Sequence, residues 1–445
     1  MVKKTFLALI TLACTQAWGG GLMTNTNYHI AFDRMMARGA TFDIDAAYSN
    51  PAGLAWGYEG LQLSLDFQKP WQNRDIELTN TSGTSQLFEG KASAPIVPAL
   101  FASYRKERWA VSSMIGIVGS GGFVKYDKGV PMFNVLMQSM LSANGITPNQ
   151  YTLDSEMKGK QYIYGGQINF TYKIIDCLSA AIGMRANYYD GYYRGHVIAK
   201  KHPLLGEVAR LLLDVDQKGW GFTPLVSVDF HQGPLTLAAR YEFRTKVNPK
   251  NDTNVLDAGL GTATIAALMI TDPLGAKTKL TTLQTQLGTY TAPYQDGIHT
   301  RYDMPTLLSV AAGYEITPSL RTTAEFHFFD DRNAKMAGDR QKELTHGTYE
   351  LQLGAEYDFN DKLTLSVGGQ RTDYGLSDGY QQDTSFACDS YSIGLGGAYN
   401  ITEKVRVNAG YFITLYSDYT KQAVYGQETF SRTNNVIGLG VDFKF

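Results

Sequence analysis

The sequence predicts an all-β fold, a transmembrane antiparallel β-barrel of about fourteen strands. Three observations carry that expectation: segments that alternate apolar and polar residues, connections that alternate between short and long, and a last strand ending on an aromatic residue. Composition agrees. Gly occurs 45 times and Tyr 28 times in 445 residues, with aromatics at 12%, a bias toward turns and interfacial rings rather than a helical enzyme. Lys+Arg number 40 against 42 Asp+Glu, so no basic face for nucleic acid is expected.

The chain begins MVKKTFLALITLACTQAWGGG, with Lys3 and Lys4 ahead of a short apolar core and small residues at Ala17, Gly19 and Gly20. This is the pattern of a secretory signal peptide, too short to span a bilayer as a helix. Residues 1–19 are assigned to it, with cleavage between Ala17 and Gly20. Cys14 sits in a poor lipobox, and only Cys177 and Cys388 remain after removal. Neither a disulfide framework nor a metal site is expected from them. No later run approaches the ~18 apolar residues of a membrane helix, so an exported chain of this kind is periplasmic, secreted or an outer-membrane barrel.

From Tyr58 the strand pattern begins. LQLSLDF (61–67) sets Leu61, Leu63, Leu65 and Phe67 against Gln62, Ser64 and Asp66, and PLTLAARYEFRTK (234–246) and SLRTTAEFHFF (319–329) repeat the theme. Successive side chains of a strand point to opposite faces, so one face suits lipid and the other a polar lumen. Short connections fall at 105–108, 174–177, 231–234, 315–319, 359–362 and 400–404. Long ones are expected near 72–95, 119–161, 196–218, 248–303, 330–346, 373–389 and 419–431. Short turns on one side and long loops on the other describe an up-and-down outer-membrane barrel. Ile437, Leu439, Val441, Phe443 and Phe445 share a face of the last strand. That ending resembles the signal read by the outer-membrane assembly machinery, with Phe445 as the contact.

Between signal peptide and barrel lie residues 20–57, which include Arg38-Gly39-Ala40, Asp43, Asp45, Ala46 and Asn50-Pro51-Ala52-Gly53-Leu54. Asn starts a turn and Pro fixes φ. Placed after a signal peptide and before the first strand, this segment resembles the N-terminal plug of the long-chain fatty-acid transporter (FadL-type) family, whose TodX-type branch takes aromatic hydrocarbons. The chain departs from the family pattern at Ile44 and at Met35-Met36. The resemblance implies a 14-stranded monomeric barrel over 58–445, its lumen closed by the hatch 20–57, with Asn50, Pro51, Ala52 and Gly53 as the plug motif.

Candidate site residues follow from pattern. In 203–216, Leu204, Leu205, Val208, Leu211 and Leu212 recur at helical spacing behind Pro203; 255–273, with Leu260 and Leu268, is a second apolar helix candidate, followed by 279–288. A further amphipathic helix is expected at 131–145. Family members use two long helical loops as an external groove, here 196–218 and 248–303. On the polar strand faces Arg185, Arg240, Arg244, Arg321 and Arg406 suit carboxylate recognition, and the inward Asp66, Glu242, Glu325, Glu350 and Glu356 are their competing partners. Asp43 and Asp45 are expected to meet the inward arginines. Gly116, Gly119, Gly121 and Gly122 weaken strand pairing and favour a kink; in the family a kink in this strand is the lateral exit. No catalytic signature is found, His327 is expected to be structural, and no cofactor is expected. The function expected is outer-membrane transport of hydrophobic compounds, long-chain fatty acids first, by capture, plug-gated passage and lateral release into outer-membrane lipid. Uptake of aromatic hydrocarbons and a non-transporting surface barrel (adhesin or phage receptor) remain the alternatives.

Overall fold

The computed structural model describes residues 20–94, 96–143, 145–200 and 206–445. In β1 (Gly60–Asn80), Gln62, Ser64, Asp66 and Gln68 are buried while Leu61, Leu63, Leu65 and Phe67 stay 37–44% exposed. A soluble sandwich would bury the leucines; only a wall with lipid outside and a filled lumen inside inverts the rule.

The wall continues through β2 (Ser85–Phe88), β3 (Gly90–Ser93), β4 (Val97–Lys106) and β5 (Trp109–Tyr126). Next come β6 (Thr152–Ile175), β7 (Leu178–Lys200), β8 (Glu207–Gln232), β9 (Leu235–Glu242) and β10 (Lys250–Leu260). Then follow β11 (Leu307–Thr317), β12 (Leu320–Phe329), β13 (Thr348–Asp358), β14 (Leu363–Asp373) and β15 (Ser390–Thr402). The last are β16 (Val405–Tyr416), β17 (Tyr419–Ala423) and β18 (Gly426–Lys444). Strands β2, β3 and β4 are pieces of one wall position, β9 and β10 of another, and β16 and β17 of a third. The described residues therefore make a fourteen-position antiparallel barrel. Pairing of β1 with β18, from Gln62↔Lys444 to Asn80↔Gly426, closes it. Exposed Tyr104, Tyr172, Tyr314, Tyr357 and Tyr399 ring the short-turn edge, and Trp71, Tyr164, Trp220, Tyr349 and Tyr391 ring the other, as aromatic girdles do at the two interfaces.

Several long connections are shorter than expected because strands continue past the upper girdle. β7 runs to Lys200 and β8 starts at Glu207, so most of 196–218 is strand and the helix expected over 203–216 is not formed. Leu204 and Leu205 lie outside the described residues. Val208, Leu211 and Leu212 are on β8, where Leu211 pairs with Val197 and Leu212 with His196. Leu211, Leu213 and Val215 recur at a period of two while Val208, Leu211, Leu212 and Val215 recur at the helical period, and cross-strand pairing decided between them. Above the girdle the outward face meets water and carries Lys160–Asp190 and Arg194–Asp214 pairs, so the apolar alternation that marks a lipid-facing strand stops before the strand does.

The helices are α1 (Ile30–Arg34), α2 (Ala46–Ser49), α3 (Pro131–Ala143), α4 (Thr262–Thr271) and α5 (Ala276–Thr291). α3 lies in the run expected to be helical. The second apolar candidate, 255–273, is split: β10 extends to Leu260 and α4 begins at Thr262. Among the described residues no helix is long and apolar enough to cross a membrane. Residues 20–39 are buried throughout and occupy the lumen, with α1 against β15, β16 and β18. Wall glycines make room for them. A Cβ at Gly368 would lie 2.7 Å from the Met36 nitrogen, and one at Gly394 2.5 Å from the Asp33 carbonyl.

Candidate functional site: the inner segment and the wall kink

The inner segment is held mainly by wall carboxylates that accept from its donors. Asp66 accepts the Ile30 N–H at 3.0 Å, Glu325 the Gly39 N–H at 2.7 Å, and Glu350 the Gly20 N–H at 2.9 Å. Glu356 on β13 takes both Arg34 and Arg38, the latter at 3.3 Å. Asp442 lies 3.2 Å from His29 Nε2. The expectation that Asp43 and Asp45 would meet wall arginines holds only for Asp43, 3.7 Å from Arg406. Both acids instead bind the segment's own Arg38, at 3.2 and 2.7 Å, folding the chain back on itself. Arg38 is in reach because it precedes them by five and seven residues.

Asn50-Pro51-Ala52-Gly53 opens a 3-10 turn, Pro51–Ala55, docked on three strands. Asn50 Nδ2 donates to Asp229 at 2.9 Å and Trp56 Nε1 to the same carboxylate at 2.8 Å. The Pro51 carbonyl accepts from Thr171 at 2.8 Å, and the Ala52 carbonyl from Ser179 at 2.7 Å. Gly53 is required by packing, since a Cβ there would sit 2.5 Å from the Thr41 carbonyl.

The glycine run kinks β5. β5 pairs with β4 only as far as Ile115 and with β3 only from Phe123. Toward β6 its register shifts between Ile117 and Gly119 and again between Gly119 and Gly122. Gly122 takes φ +86°, a left-handed conformation that favours glycine. Gly116 starts the unpaired stretch and Gly121 lies within it. The carbonyls left without a ladder partner are capped by the inner segment: Val118 accepts from the Asn25 N–H and the Tyr28 hydroxyl, both at 3.1 Å, and Ile117 accepts from Asn25 Nδ2 at 3.3 Å. The kink and the inner segment are thus one hydrogen-bonded unit.

Apolar side chains flank this unit on both sides. Outside, Phe133, Met137, Met140 and Leu141 of α3 pack with Met157, Val197, Leu213 and Leu268. A void of about 30 Å³ remains there, lined by Phe133, Met157, Val197, Leu211, Leu213, Leu256 and Tyr294, room for about one water. Inside, Leu22 and Met23 pack with Val118, Ile163, Tyr189, Tyr302, Met304 and Leu344. Within the wall, Ala94, Val97 and Ile117 form a small third cluster with Tyr162. At the short-turn end lies a polar cavity of about 730 Å³ containing Arg38, Asp43, Arg321, Glu356, Asp358 and Arg406. In the connection after β12, burial pushes the Asp331 carboxyl up to about 7, against hydrogen bonds from Thr348 and the Leu22 N–H.

Of the expected loop-groove residues, Leu260 and Leu268 are buried, Val208 is buried and Leu211 half-buried. The expected carboxylate-binding arginines are occupied. Arg185 is fully buried on Glu242. Arg240 donates to the Tyr48 carbonyl, lies 4.4 Å above the Tyr48 ring and 3.6 Å from Glu242. Arg321 pairs with Asp358. Arg244 falls beyond the end of β9, exposed, and donates to the Asn333 carbonyl at 2.8 Å; the strand's alternation stops at Glu242, so its phase no longer applies. His327 bridges Glu325 and Glu350, at 2.6 and 3.0 Å. Among the described residues no group of His, Cys, Asp and Glu is arranged to hold a metal ion. Sequence reasoning assigned Glu325, Glu350 and Glu356 to arginines and missed their larger role as acceptors for the inner segment. Their inward phase was the available signal.

Comparison with known proteins agrees with this geometry. A family model described as an outer membrane protein beta-barrel domain matches residues 256–445. No curated protein matches the chain. The crystal structure of a Pseudomonas aeruginosa FadL homologue is similar at TM-score 0.66 and 15% identity, covering 95% of this chain and 98% of that one. The P. putida toluene transporter TodX is similar at TM-score 0.56 and 14% identity, covering 91% and 95%. The Ralstonia pickettii toluene transporter TbuX gives 0.53 and 14%, covering 91% and 94%. Fold and site together define an outer-membrane β-barrel with an N-terminal segment folded inside its wall. Within that class the chain has the FadL-type fold.

Proposed function

We propose that the protein carries hydrophobic small molecules across the outer membrane, with residues 20–57 acting as a plug. The observation that carries this reading is the capping of the β5 kink by Asn25 and Tyr28. A molecule displacing Leu22 and Met23 from the inner apolar cluster would pull on those bonds and uncover the gap between β5 and its neighbours. The gap opens sideways into lipid, so the substrate never crosses the polar cavity at the short-turn end. Capture begins at α3, β8 and β10, whose apolar faces would hold an acyl chain at about 0.8 kcal/mol per buried methylene.

Long-chain fatty acids are the substrates we favour because two apolar clusters, around α3 and around Leu22 and Met23, flank the kink. Uncharged aromatic hydrocarbons are the second reading, favoured by a specific observation: Arg185 and Arg240 are already engaged by Glu242 and Tyr48. Titration of purified protein with oleate and with toluene separates the two. Saturable binding of either compound, reduced by Leu22→Asp, is the expected result. Absence of saturable binding for both, with normal uptake in a deletion strain, would refute the transport reading and leave a surface barrel.

A further inference from the structure

Helix α3 is tied at its first turn to two other outer segments. Pro131 has no N–H, so Met132 offers the first free donor of the helix, and the Asp383 side chain accepts it. Asp383 belongs to the connection between β14 and β15 and is 2% exposed. Its carboxyl hydrogen-bonds that of Glu428, which is 0% exposed at the outer end of β18. Two ionised carboxylates have no donor to share, so this bond requires one proton between them.

The surroundings offer the two acids a single cation. Lys421, opposite Glu428 in the β17–β18 pairing, lies 3.0 Å from Glu428 Oε2 and donates to the Gln381 carbonyl at 2.8 Å. The Tyr425 hydroxyl donates to Glu428 Oε1 at 2.6 Å. α3 itself has no charged residue. Arg340 of the neighbouring segment Ala337–Glu343 donates to Gln382, Ser385 and Tyr380, and Arg74 of β1 to the Phe386 carbonyl. With one proton the two acids and Lys421 are neutral together; without it a net negative charge is buried, at high cost. The start of a helix favours an anion, but that is the weaker effect here: burial, and then Glu428, hold the Asp383 carboxyl well above the ordinary aspartate range.

We propose that Asp383 and Glu428 form a proton-operated latch on α3, closed while they share a proton and released when it is lost. The proton passes to solvent, the two carboxylates repel, and Asp383 turns to water with its loop, leaving the Met132 N–H uncapped. Phe133, Met137, Met140 and Leu141 of α3 cover the outer apolar cluster, so acid keeps that surface shut and alkali exposes it. The raised folded value sets the sign: the latch is complete below the ordinary aspartate range and weakens as pH rises through the folded value, by about tenfold per pH unit for one proton.

The consequence for capture rests on the proposed transport function, but the latch itself does not, since its test needs no ligand. Hydrogen-exchange protection factors, which correct for the intrinsic pH dependence of exchange, are measured for the amides of α3 in folded protein from pH 5 to 9. Protection of the first turns should fall with pH by up to tenfold per unit while the wall strands stay protected. A flat profile would overturn the proposal. Asp383→Asn keeps an acceptor for Met132 and gains a permanent donor to Glu428, so its protection should stay at the acidic wild-type level throughout. A wild-type slope in that variant, or low protection at every pH, would also overturn it, the latter because an ionised carboxylate would then be the closed form. A non-folding Asp383→Asn leaves the wild-type profile to decide. Loss of oleate and toluene binding with the slope intact would count against transport and not against the latch.

Discussion

Glu356→Gln tests the electrostatic seat of the plug most directly. Glu356 is 8% exposed and takes Arg34 and Arg38, whose side chains are 1% and 4% exposed. Arg38 keeps Asp45 and Asp43 when the charge is removed. Arg34 keeps the Ser366 hydroxyl, so the loss falls on Arg34. Breaking a buried pair from one side costs about 3–5 kcal/mol. The segment can relieve part of that by leaving the lumen and returning Arg34 to water. A shift of about 3 kcal/mol toward the unseated plug is a change of roughly two orders of magnitude in its population. Planar-bilayer recording should show baseline current rising accordingly, with proteolysis near Arg34 and Arg38 in otherwise folded barrels. Wild-type current together with wild-type protease resistance would refute the reasoning.

Three further outcomes are expected. Gly368→Ala places a methyl 2.7 Å from the Met36 nitrogen; overpacking of about 1–3 kcal/mol should lower the thermal midpoint, and an unchanged midpoint would mean that Met35-Met36 is not seated on β14. Leu211→Asp puts a charge at the edge of the outer apolar void, so ligand affinity by titration should fall at least tenfold with the thermal midpoint little changed. Asp331 has its folded value raised to about 7, so its stabilising contribution is complete below the ordinary aspartate range and is lost as pH rises through about 7. Melts recorded from pH 4 to 8 should show a decline that Asp331→Asn flattens; an unaltered slope in the variant would discount that carboxyl.

The barrel was legible because its physics is local. A strand with lipid on one side must alternate, and LQLSLDF does so with every inward residue polar and every outward one apolar. Four of the six short turns were legible for the same reason, since Gly, Pro or Asn marks 231–234, 315–319, 359–362 and 400–404. Legibility failed where the surroundings changed from lipid to water. Above the girdle, β6, β7 and β8 carry charges outward, and Val208 to Leu212 satisfied two periods at once. The plug motif was visible as a turn, but its seat on Asp229, Thr171 and Ser179 comes from three strands far away in sequence.

The sequence by itself determined the wall, its turns, its aromatic edges and the inward phase of its charges, because each depends on neighbours two residues apart on a strand. Tertiary structure alone decided who pairs with whom inside. Arg185 and Arg240 serve Glu242 and Tyr48 rather than a free carboxylate, and Glu356 meets Arg34 and Arg38 of the inner segment more closely than Arg321. Closure of the barrel brings fourteen inward faces onto one short segment, and charges buried together there pair by distance, which no spacing along the chain encodes.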